Sequence, residues 1–323
     1  MTLIKIPQDA KIPLIGLLNI GILDRGSNLL EVRASTSCNL NCTFCATNHD
    51  IRKTHFLVDP KYVIQWIREA IKLKGNKITE IHLDSVGETL SNPGIIEIIK
   101  GIKKINKTFT ISIQTNGLLL DEDKIRELEK AGLTRLNISL HSLDSKKAKT
   151  LAGKASYSLE KVLENIHLVS KSQIELLIAP VWCPNVNDED IEKIIKLCKE
   201  LKCQSGIQKY EEYKYSKKQP EVKKINWYKF YNHLKIWEKK YDSNLTLSPR
   251  TFKIKKTKKI PLAFEKKDKL QAVIVSPGWM EDQKIAVVKN RAITITNCTK
   301  KIGDRVNIRI TENKNSIYLA KEI

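Results

Sequence analysis

The sequence lacks any apolar run that approaches the roughly 20 residues needed to cross a bilayer, and it is poor in acidic residues relative to basic ones. Hydrophobic residues make up 41% of the 323 positions and charged residues 29%, a balance typical of globular rather than disordered chains. We therefore predict a soluble protein with no membrane partner. At this length, one large domain with a smaller one is the natural organisation.

Cysteines are few, and they do not form the paired framework that disulfide-bonded secreted proteins show. There are seven, an odd number, and three of them crowd into "SCNLNCTFCATN" as Cys38, Cys42 and Cys45, with no fourth nearby. This number and spacing of cysteines favour a protein of a reducing compartment, in which the cysteines act as metal ligands. We expect a cytoplasmic protein without disulfides.

Basic residues dominate the charge. The 57 lysines and arginines exceed the 36 acidic residues by 21, and the pI is about 9.5. A surplus of this size attracts polyanions over long range, so nucleic acid is the first partner to consider. A lysine-rich proteome would also make such a chain basic, so composition alone does not decide the matter.

Strand and helix patterns alternate along most of the chain. Residues 28–35 alternate apolar and polar side chains, as in a strand that runs into the cysteines. Asp59 before Pro60 predicts a helix start, and Gly75 predicts its end. The pattern recurs in six strand-helix units up to residue 215, which predicts a parallel sheet and a partial (βα)6 barrel of the TIM type. In such barrels the chemistry lies at the carboxyl ends of the strands, where the cysteines fall.

Two metal sites fit the three cysteines. A structural zinc ion could be bound by Cys38, Cys42, Cys45 and His49, an acceptable tetrahedral set. The alternative is a [4Fe-4S] cluster held by three thiolates, which leaves one iron without a protein ligand. An open iron can bind a small molecule, whereas a closed zinc site cannot.

The C-x3-C-x2-C spacing after a first strand, with Phe44 just before the third cysteine, resembles the signature of the radical S-adenosylmethionine (radical SAM) superfamily. The resemblance covers residues 28–215 and is strongest to the branch that contains the molybdopterin-precursor enzymes. It implies that Cys38, Cys42 and Cys45 bind a [4Fe-4S] cluster and that Phe44 is a cofactor-binding residue.

Further motifs follow in the order of that family. "SVGETLSNP" resembles its glycine-glutamate motif, which implies that Gly87 and Glu88 meet the methionine amino group of SAM. "QTNG" and "ISLHS" resemble the third and fourth strand ends, which implies that Thr115 and Ser139 contact SAM.

The chain departs from the family pattern at two positions. Val86 replaces a glycine, which costs backbone freedom but retains the amide donors and Glu88. His141 replaces an aspartate; we interpret it as a solvent-facing substitution, and the alternative is a histidine that titrates near the substrate.

The chemistry that the resemblance implies is reductive cleavage of SAM, after which its 5′-deoxyadenosyl fragment abstracts an unactivated hydrogen from the substrate. Such an enzyme needs an electron donor such as ferredoxin or flavodoxin. The cofactors supply the difficult chemistry, and the protein supplies orientation and excludes water.

The remaining cysteines are less informative. Cys198 and Cys298 are expected to be small buried hydrophobic residues. Cys183, in "VWCPN" after the fifth strand, is expected to pack as well, with a catalytic role near the substrate as the lesser alternative. The candidates for a catalytic residue are therefore Cys183 and His141.

The alternation stops after residue 215. A helix with large apolar residues between 227 and 241 is expected to dock on the barrel rather than to stack bases. The basic run at 250–260 is either a solvated linker or a groove for the RNA backbone.

The last sixty or so residues alternate apolar and polar side chains between turns, as in a small antiparallel barrel. The motif Gly303-Asp304-Arg305-Val306 resembles the TRAM domain, a small OB-like barrel found in archaeal-type radical SAM/TRAM proteins and tRNA-modifying enzymes. This resemblance implies phosphate contacts, for which the candidates are Lys289, Arg291, Arg305 and Arg309.

These observations predict an α/β radical SAM barrel followed by a small all-β OB-like barrel. The predicted divisions are residues 1–27 as an extension, 28–215 as the radical SAM core, 216–262 as helix and basic linker, and 263–323 as the TRAM-like barrel. The expected activity is modification of RNA, above all of a tRNA nucleoside, for example by methylation. The alternatives are a maturase or biosynthetic enzyme acting on a peptide or small molecule, and a non-catalytic metal protein that binds RNA.

Overall fold

The computed structural model of the protein describes residues 2–75 and 77–323. They form two compact units. The first contains the chain up to Ser37, Ile51–Ile111 and Ile254–Ile323, and the second contains Cys38–Asp50 and Ser112–Lys253. No helix in these two stretches is both long enough and apolar enough to span a membrane.

The strands are β1 Thr2–Ile6, β2 Gly21–Leu23, β3 Leu29–Arg33, β4 Thr54–Val58, β5 Glu80–Asp84, β6 Thr110–Thr115, β7 Arg135–Ile138, β8 Glu175–Ile178, β9 Val181–Trp182, β10 Gln204–Ser205, β11 Gln208–Lys209, β12 Lys269–Pro277, β13 Gln283–Val288, β14 Arg291–Thr296, β15 Arg305–Glu312 and β16 Leu319–Glu322. The helices are α1 Pro60–Lys74, α2 Ile95–Ile105, α3 Glu122–Ala131, α4 Ser145–Ala152, α5 Leu159–Ser170, α6 Asp188–Glu200 and α7 Trp227–Tyr241.

The first unit contains a sheet in which β3 pairs with β5 in parallel and with β2 in antiparallel orientation. Helix α1 begins and ends where the sequence predicted: the Asp59 carboxylate accepts from the N–H groups of the first turn, and Gly75 ends the helix at φ 75°. Strands β1 and β4 form a separate parallel pair that the sequence pattern did not predict.

The second unit contains the parallel strands β6, β7, β8 and β10 in that spatial order. Helices α5 and α6 fall in the stretch for which strand-helix alternation was predicted, and Ser158 caps α5. Helix α4 was not predicted. Helix α7 packs on α6 through Phe230, Leu234 and Trp237, which confirms the expected docking of its apolar face.

The last five strands close into a barrel in the order β12-β13-β14-β16-β15, around a core that includes Ile274, Ile308 and Tyr318. Strands β14 and β16 pair in parallel, so the expectation of a purely antiparallel barrel is wrong at this pair. A short 3-10 turn at Lys314–Ser316, with Asn315 at φ 56°, connects β15 to β16.

Residues that precede β2 pack directly against this barrel. The Tyr318 N–H donates to the Gly16 carbonyl over 2.9 Å, and the Ala292 N–H donates to the Ile15 carbonyl over 3.0 Å. Gly16 has φ 131°, and a Cβ there would lie 1.9 Å from the Ala292 carbonyl oxygen. Only glycine permits this approach of two backbones.

The backbone of the basic run at 250–260 is held by hydrogen bonds to residues near the start of the chain. The Thr257 N–H donates to the Gly26 carbonyl and the Asn28 N–H to the Lys255 carbonyl, each over 2.9 Å. Lys74 and Asp24 form a fully buried ion pair of 2.6 Å, and Asp24 also accepts from the Ile260 N–H. The backbone is therefore fixed while the lysine side chains at 255, 256, 258 and 259 stay exposed.

Candidate active site

The cysteine loop, residues 38–50, is held by the end of α4. The Asn41 N–H donates to the Ala152 carbonyl over 3.1 Å, and the Thr43 N–H donates to the Leu151 carbonyl over 3.0 Å. Gly153 ends α4 at φ 60°, and a Cβ there would lie 1.9 Å from the Asn41 carbonyl oxygen. A helix end without a side chain thus lets the loop lie against it.

Cys38, Cys42 and Cys45 are all free thiols within this loop. Burial, and to a lesser extent the neighbouring Cys38 and Cys45, raise the pKa of the Cys42 thiol to about 12, since like charges disfavour a second thiolate. Three clustered thiols of this kind need a positively charged metal group to ionise together.

The thiols suit a cluster better than a zinc ion. In the parts of the chain that are described, no three His, Cys, Asp or Glu side chains converge on a single metal position. A tetrahedral zinc site requires such convergence, whereas three irons of a [4Fe-4S] cluster each take one thiolate. The three thiols of the loop lie near enough to one another for Cys38 and Cys45 to raise the pKa of Cys42, so these residues fit the cluster.

Lys217 holds both ends of the loop. Its Nζ donates to Asn41 Oδ1 over 2.6 Å and pairs with Asp50 over 2.8 Å, while its backbone N–H donates to the Cys45 carbonyl over 2.8 Å. The ammonium group also lowers the pKa of Cys42, against the larger effect of burial. Lys217 therefore positions the loop and adds a positive charge beside its thiols.

His141 contacts the cysteine loop through Phe44, with ring centroids 4.7 Å apart and an edge-to-face angle of 72°. Its Nδ1 accepts from the Val181 N–H over 3.0 Å, and burial lowers its pKa to about 4. The interpretation of His141 as a solvent-facing substitution is therefore wrong. The ring is neutral near pH 7 and braces Phe44, which also disfavours the alternative of a titrating group.

Gly87 and Glu88 lie in the first unit, in a turn that packs on residues 35–37. A Cβ on Gly87 would lie 2.2 Å from the Ser37 carbonyl oxygen, and the Glu88 N–H donates to that oxygen over 2.8 Å. The buried Glu88 carboxylate accepts from the Leu90 N–H over 2.9 Å and caps a 3-10 turn. The close approach of the Ser37 carbonyl explains why glycine is needed at 87.

Thr115 and Ser139 lie at the carboxyl ends of the neighbouring strands β6 and β7. The Ser139 N–H donates to the Thr115 carbonyl over 2.8 Å, and the Ser139 hydroxyl accepts from Gln114 over 3.0 Å. The Thr115 hydroxyl accepts from the Gly117 N–H over 3.1 Å. The second unit thus brings these two residues to one edge of its parallel sheet.

Cys183 packs with Phe44 and Tyr210 in a buried cluster next to Cys42. Burial raises the pKa of its thiol to about 12, so it is protonated near neutral pH and suited to packing rather than nucleophilic attack. Cys198 and Cys298 are buried in α6 and in the small barrel, as predicted.

The four barrel residues that were predicted to contact phosphate differ in how far their side chains are exposed to solvent. Lys289, Arg305 and Arg309 are exposed. Arg291 is only 8% exposed, and its guanidinium donates to the Asn290 carbonyl. Its side chain is therefore not available on the barrel surface.

A family model described as the radical SAM superfamily matches residues 32–198. An uncharacterized protein of Methanocaldococcus jannaschii is 33% identical over 340 residues, which cover 96% of this chain and 78% of that protein. GTP 3′,8-cyclase of Campylobacter jejuni subsp. doylei is 28% identical over 256 residues, which cover 79% of this chain and 74% of the cyclase.

Solved structures show the same fold. SuiB of Streptococcus suis, bound to the precursor peptide SuiA, matches with a TM-score of 0.55 and 19% identity over 69% of this chain. The match spans 48% of SuiB, about half its length. A radical SAM methyltransferase from Sphaerobacter thermophilus matches with a TM-score of 0.53 and 16% identity, over 68% of this chain and 65% of that one. The likeness supports a TIM-like α/β core, to which the small closed barrel is added.

Proposed function

This chain belongs to the radical SAM superfamily, and we propose that it modifies RNA, with a tRNA nucleoside as the substrate and C–H activation, for example methylation, as the chemistry. Enzymes of this superfamily use a [4Fe-4S] cluster and SAM and need a reductant. The closed terminal barrel supports its assignment as a TRAM-like, OB-type domain that binds the RNA.

One observation carries the RNA proposal. Lys269, Arg309 and Lys321 are direct cross-strand partners on β12, β15 and β16, and all three are exposed. Like charges placed directly opposite one another destabilise a sheet. None of the three pairs with a carboxylate within the described residues, so the row is suited to a polyanion that neutralises it. Arg305 extends the row on β15.

The core residues take the roles that their geometry allows. Cys38, Cys42 and Cys45 would hold the cluster, which supplies the electron that cleaves SAM. Gly87, Glu88, Thr115 and Ser139 would bind SAM. The loop that carries the thiols is positioned by Lys217, through Asn41 and Asp50, and by the His141 contact with Phe44. The apolar cluster around Phe44 and Cys183 excludes water from one side of the loop.

A second candidate function is modification of a small molecule or maturation of a peptide. It is favoured by the similarity to GTP 3′,8-cyclase, which extends over 79% of the chain. Under this alternative the terminal barrel would serve as a structural cap.

The release of 5′-deoxyadenosine tests the proposal. Anaerobically reconstituted protein with reductant and SAM is expected to release it several-fold faster when total tRNA is added, because substrate binding completes the site. The control is the same RNA digested to nucleosides. Release that is indifferent to intact RNA, but stimulated by a peptide or nucleotide, would favour the second candidate.

Charge reversal of the barrel row should weaken RNA binding. The Arg305→Glu/Arg309→Glu variant is expected to bind tRNA less tightly and to lower the slope of log K against log salt by about 2, since two phosphate contacts are lost. SAM cleavage without RNA should be unchanged. Lys5→Glu/Lys11→Glu makes the same change of net charge on exposed residues of the first unit and serves as the control. Equal RNA affinity of wild type and the Arg305/Arg309 variant would contradict binding by the barrel.

A further inference from the structure

The exposed aromatic residues are concentrated in one short stretch. Of the tyrosine, tryptophan and phenylalanine side chains that the structure describes, every one classed as exposed lies between positions 213 and 231. They are Tyr213, Tyr215, Trp227, Tyr228 and Tyr231. Trp227 is 51% exposed and Tyr228 is 74% exposed. An aromatic ring exposed to water does not contribute the hydrophobic free energy that its burial would give. A group of such exposed rings therefore indicates a binding surface.

Three of these rings lie on α7, whose other face is firmly held. Phe230, Leu234 and Trp237 pack into the core of the second unit. Trp237 Nε1 donates to Glu192 over 3.0 Å, which fixes the helix to α6. The outward rings therefore stand on a helix whose backbone is held in place, which lowers the cost of ordering the surface when a ligand binds.

The outward rings are already arranged for stacking. Trp227 and Tyr231 lie one helical turn apart with centroids 5.8 Å apart and an interplanar angle of 28°. Tyr228 is adjacent in sequence and more exposed than either. We call Trp227, Tyr228 and Tyr231 the aromatic platform.

Positive charge is concentrated in the segment that carries the aromatic platform. Residues 213–240 contain nine lysines and only two acidic residues. Lys209 Nζ lies 5.2 Å from the centre of the Trp227 ring. The nearby carboxylates Glu211 and Glu212 are paired with Lys209 and Lys224, over 3.1 and 2.7 Å. Two more of the nine lysines pair with carboxylates outside this segment, and the excess of lysine still gives the segment a net positive charge.

We propose that the aromatic platform binds unpaired nucleotides of an RNA substrate, with bases stacked on the rings and phosphates beside the lysines. Stacking on aromatic side chains within a basic groove is the usual means of binding single strands. Protein interfaces, in contrast, are depleted of lysine. The proposal rests on the proposed function, because it assumes that the substrate is RNA, and it adds a second RNA-binding surface to that of the barrel.

The aromatic platform is connected to the cysteine loop by the chain itself. The segment that carries Tyr213 and Tyr215 continues to Lys217, whose backbone N–H donates to the Cys45 carbonyl. Glu212, at the other end of this segment, pairs with Lys224 just before α7. An RNA strand bound on the aromatic platform would therefore lie on the same unit as the cysteine loop. It would also lie next to the segment that contacts this loop through Lys217.

Fluorescence anisotropy with a labelled, unstructured 12-nucleotide RNA tests the aromatic platform. Trp227→Ala and Tyr228→Ala are each expected to weaken binding by roughly 5- to 100-fold, the effect of losing one stacked base. The slope of log K against log salt should not change, because no charge is removed. Trp227→Phe should retain most of the affinity. Ile236→Ala, which removes an exposed aliphatic side chain from the same helix, should bind as wild type does.

The outcomes separate this inference from the proposed function. If the alanine variants bind the RNA as tightly as wild type while Arg305→Glu/Arg309→Glu does not, the aromatic platform is not a binding surface, and the RNA function stands. If wild type binds neither the 12-mer nor tRNA, the proposed function fails and the inference with it. A change of oligomeric state in Tyr228→Ala, measured by light scattering without loss of RNA affinity, would instead identify a surface for a second copy of the chain.

Discussion

A Cys42→Ala variant is expected to assemble no [4Fe-4S] cluster and to release no 5′-deoxyadenosine. Cys42 lies between the other two cysteines of the loop, and burial keeps its pKa near 12 when no metal is bound. A cluster left with two thiolates lacks one of its three protein ligands. The measurement is the iron and sulfide content after anaerobic reconstitution, together with the low-temperature electron paramagnetic resonance spectrum of the reduced protein.

A matched control for Cys42→Ala is Cys203→Ala. Cys203 is also partly exposed, but it contacts Cys198 in a different part of the second unit. This variant should assemble a full cluster. Circular dichroism of both variants checks that the fold is retained. A full iron and sulfide load in Cys42→Ala would refute the ligand assignment.

A Lys74→Met variant is expected to lower the free energy of unfolding by about 3–5 kcal/mol, because it leaves the buried Asp24 carboxylate without its counter-charge. The two side chains are 0% and 1% exposed, and their ion pair measures 2.6 Å. Lys74 Nζ also donates to the Lys258 carbonyl over 3.0 Å, so the substitution removes a second hydrogen bond. Urea unfolding of the apoprotein, followed by circular dichroism, measures the change.

Two further variants make this result interpretable. Lys72→Met removes a lysine that is exposed on the same helix and should change stability by less than about 0.5 kcal/mol. The double variant Lys74→Met/Asp24→Asn should recover part of the loss, since no unpaired charge remains buried. A Lys74→Met protein as stable as Lys72→Met would mean that the ion pair contributes nothing to the fold.

Local signals in the sequence predicted local structure well. Asp59 and Gly75 bound α1 as expected because capping depends on a few adjacent backbone groups. The close spacing of the cysteines identified the loop from the sequence, because all three lie within eight consecutive positions. The carboxyl ends of β6 and β7 likewise bring Thr115 and Ser139 together, because parallel neighbours end at one edge of the sheet.

Contacts between distant parts of the chain could not be predicted in the same way. Lys217 lies 176 residues from Asn41, and nothing in the pattern around it indicates a role in the cysteine loop. The burial of Arg291 and the parallel pairing of β14 with β16 also depend on how the barrel closes. The prediction for His141 was wrong because its contact with Phe44 joins two segments almost one hundred residues apart.

The division of the chain between the two units affects the order in which they can fold during synthesis. All residues of the second unit, including the cysteine loop, have been translated once Lys253 leaves the ribosome. The first unit must wait for Ile254–Ile323, because Gly16 and Asp24 have their partners there. Domains fold as units while the chain emerges. The unit that carries the three thiols is thus complete in sequence before the barrel that we propose binds RNA has been synthesised.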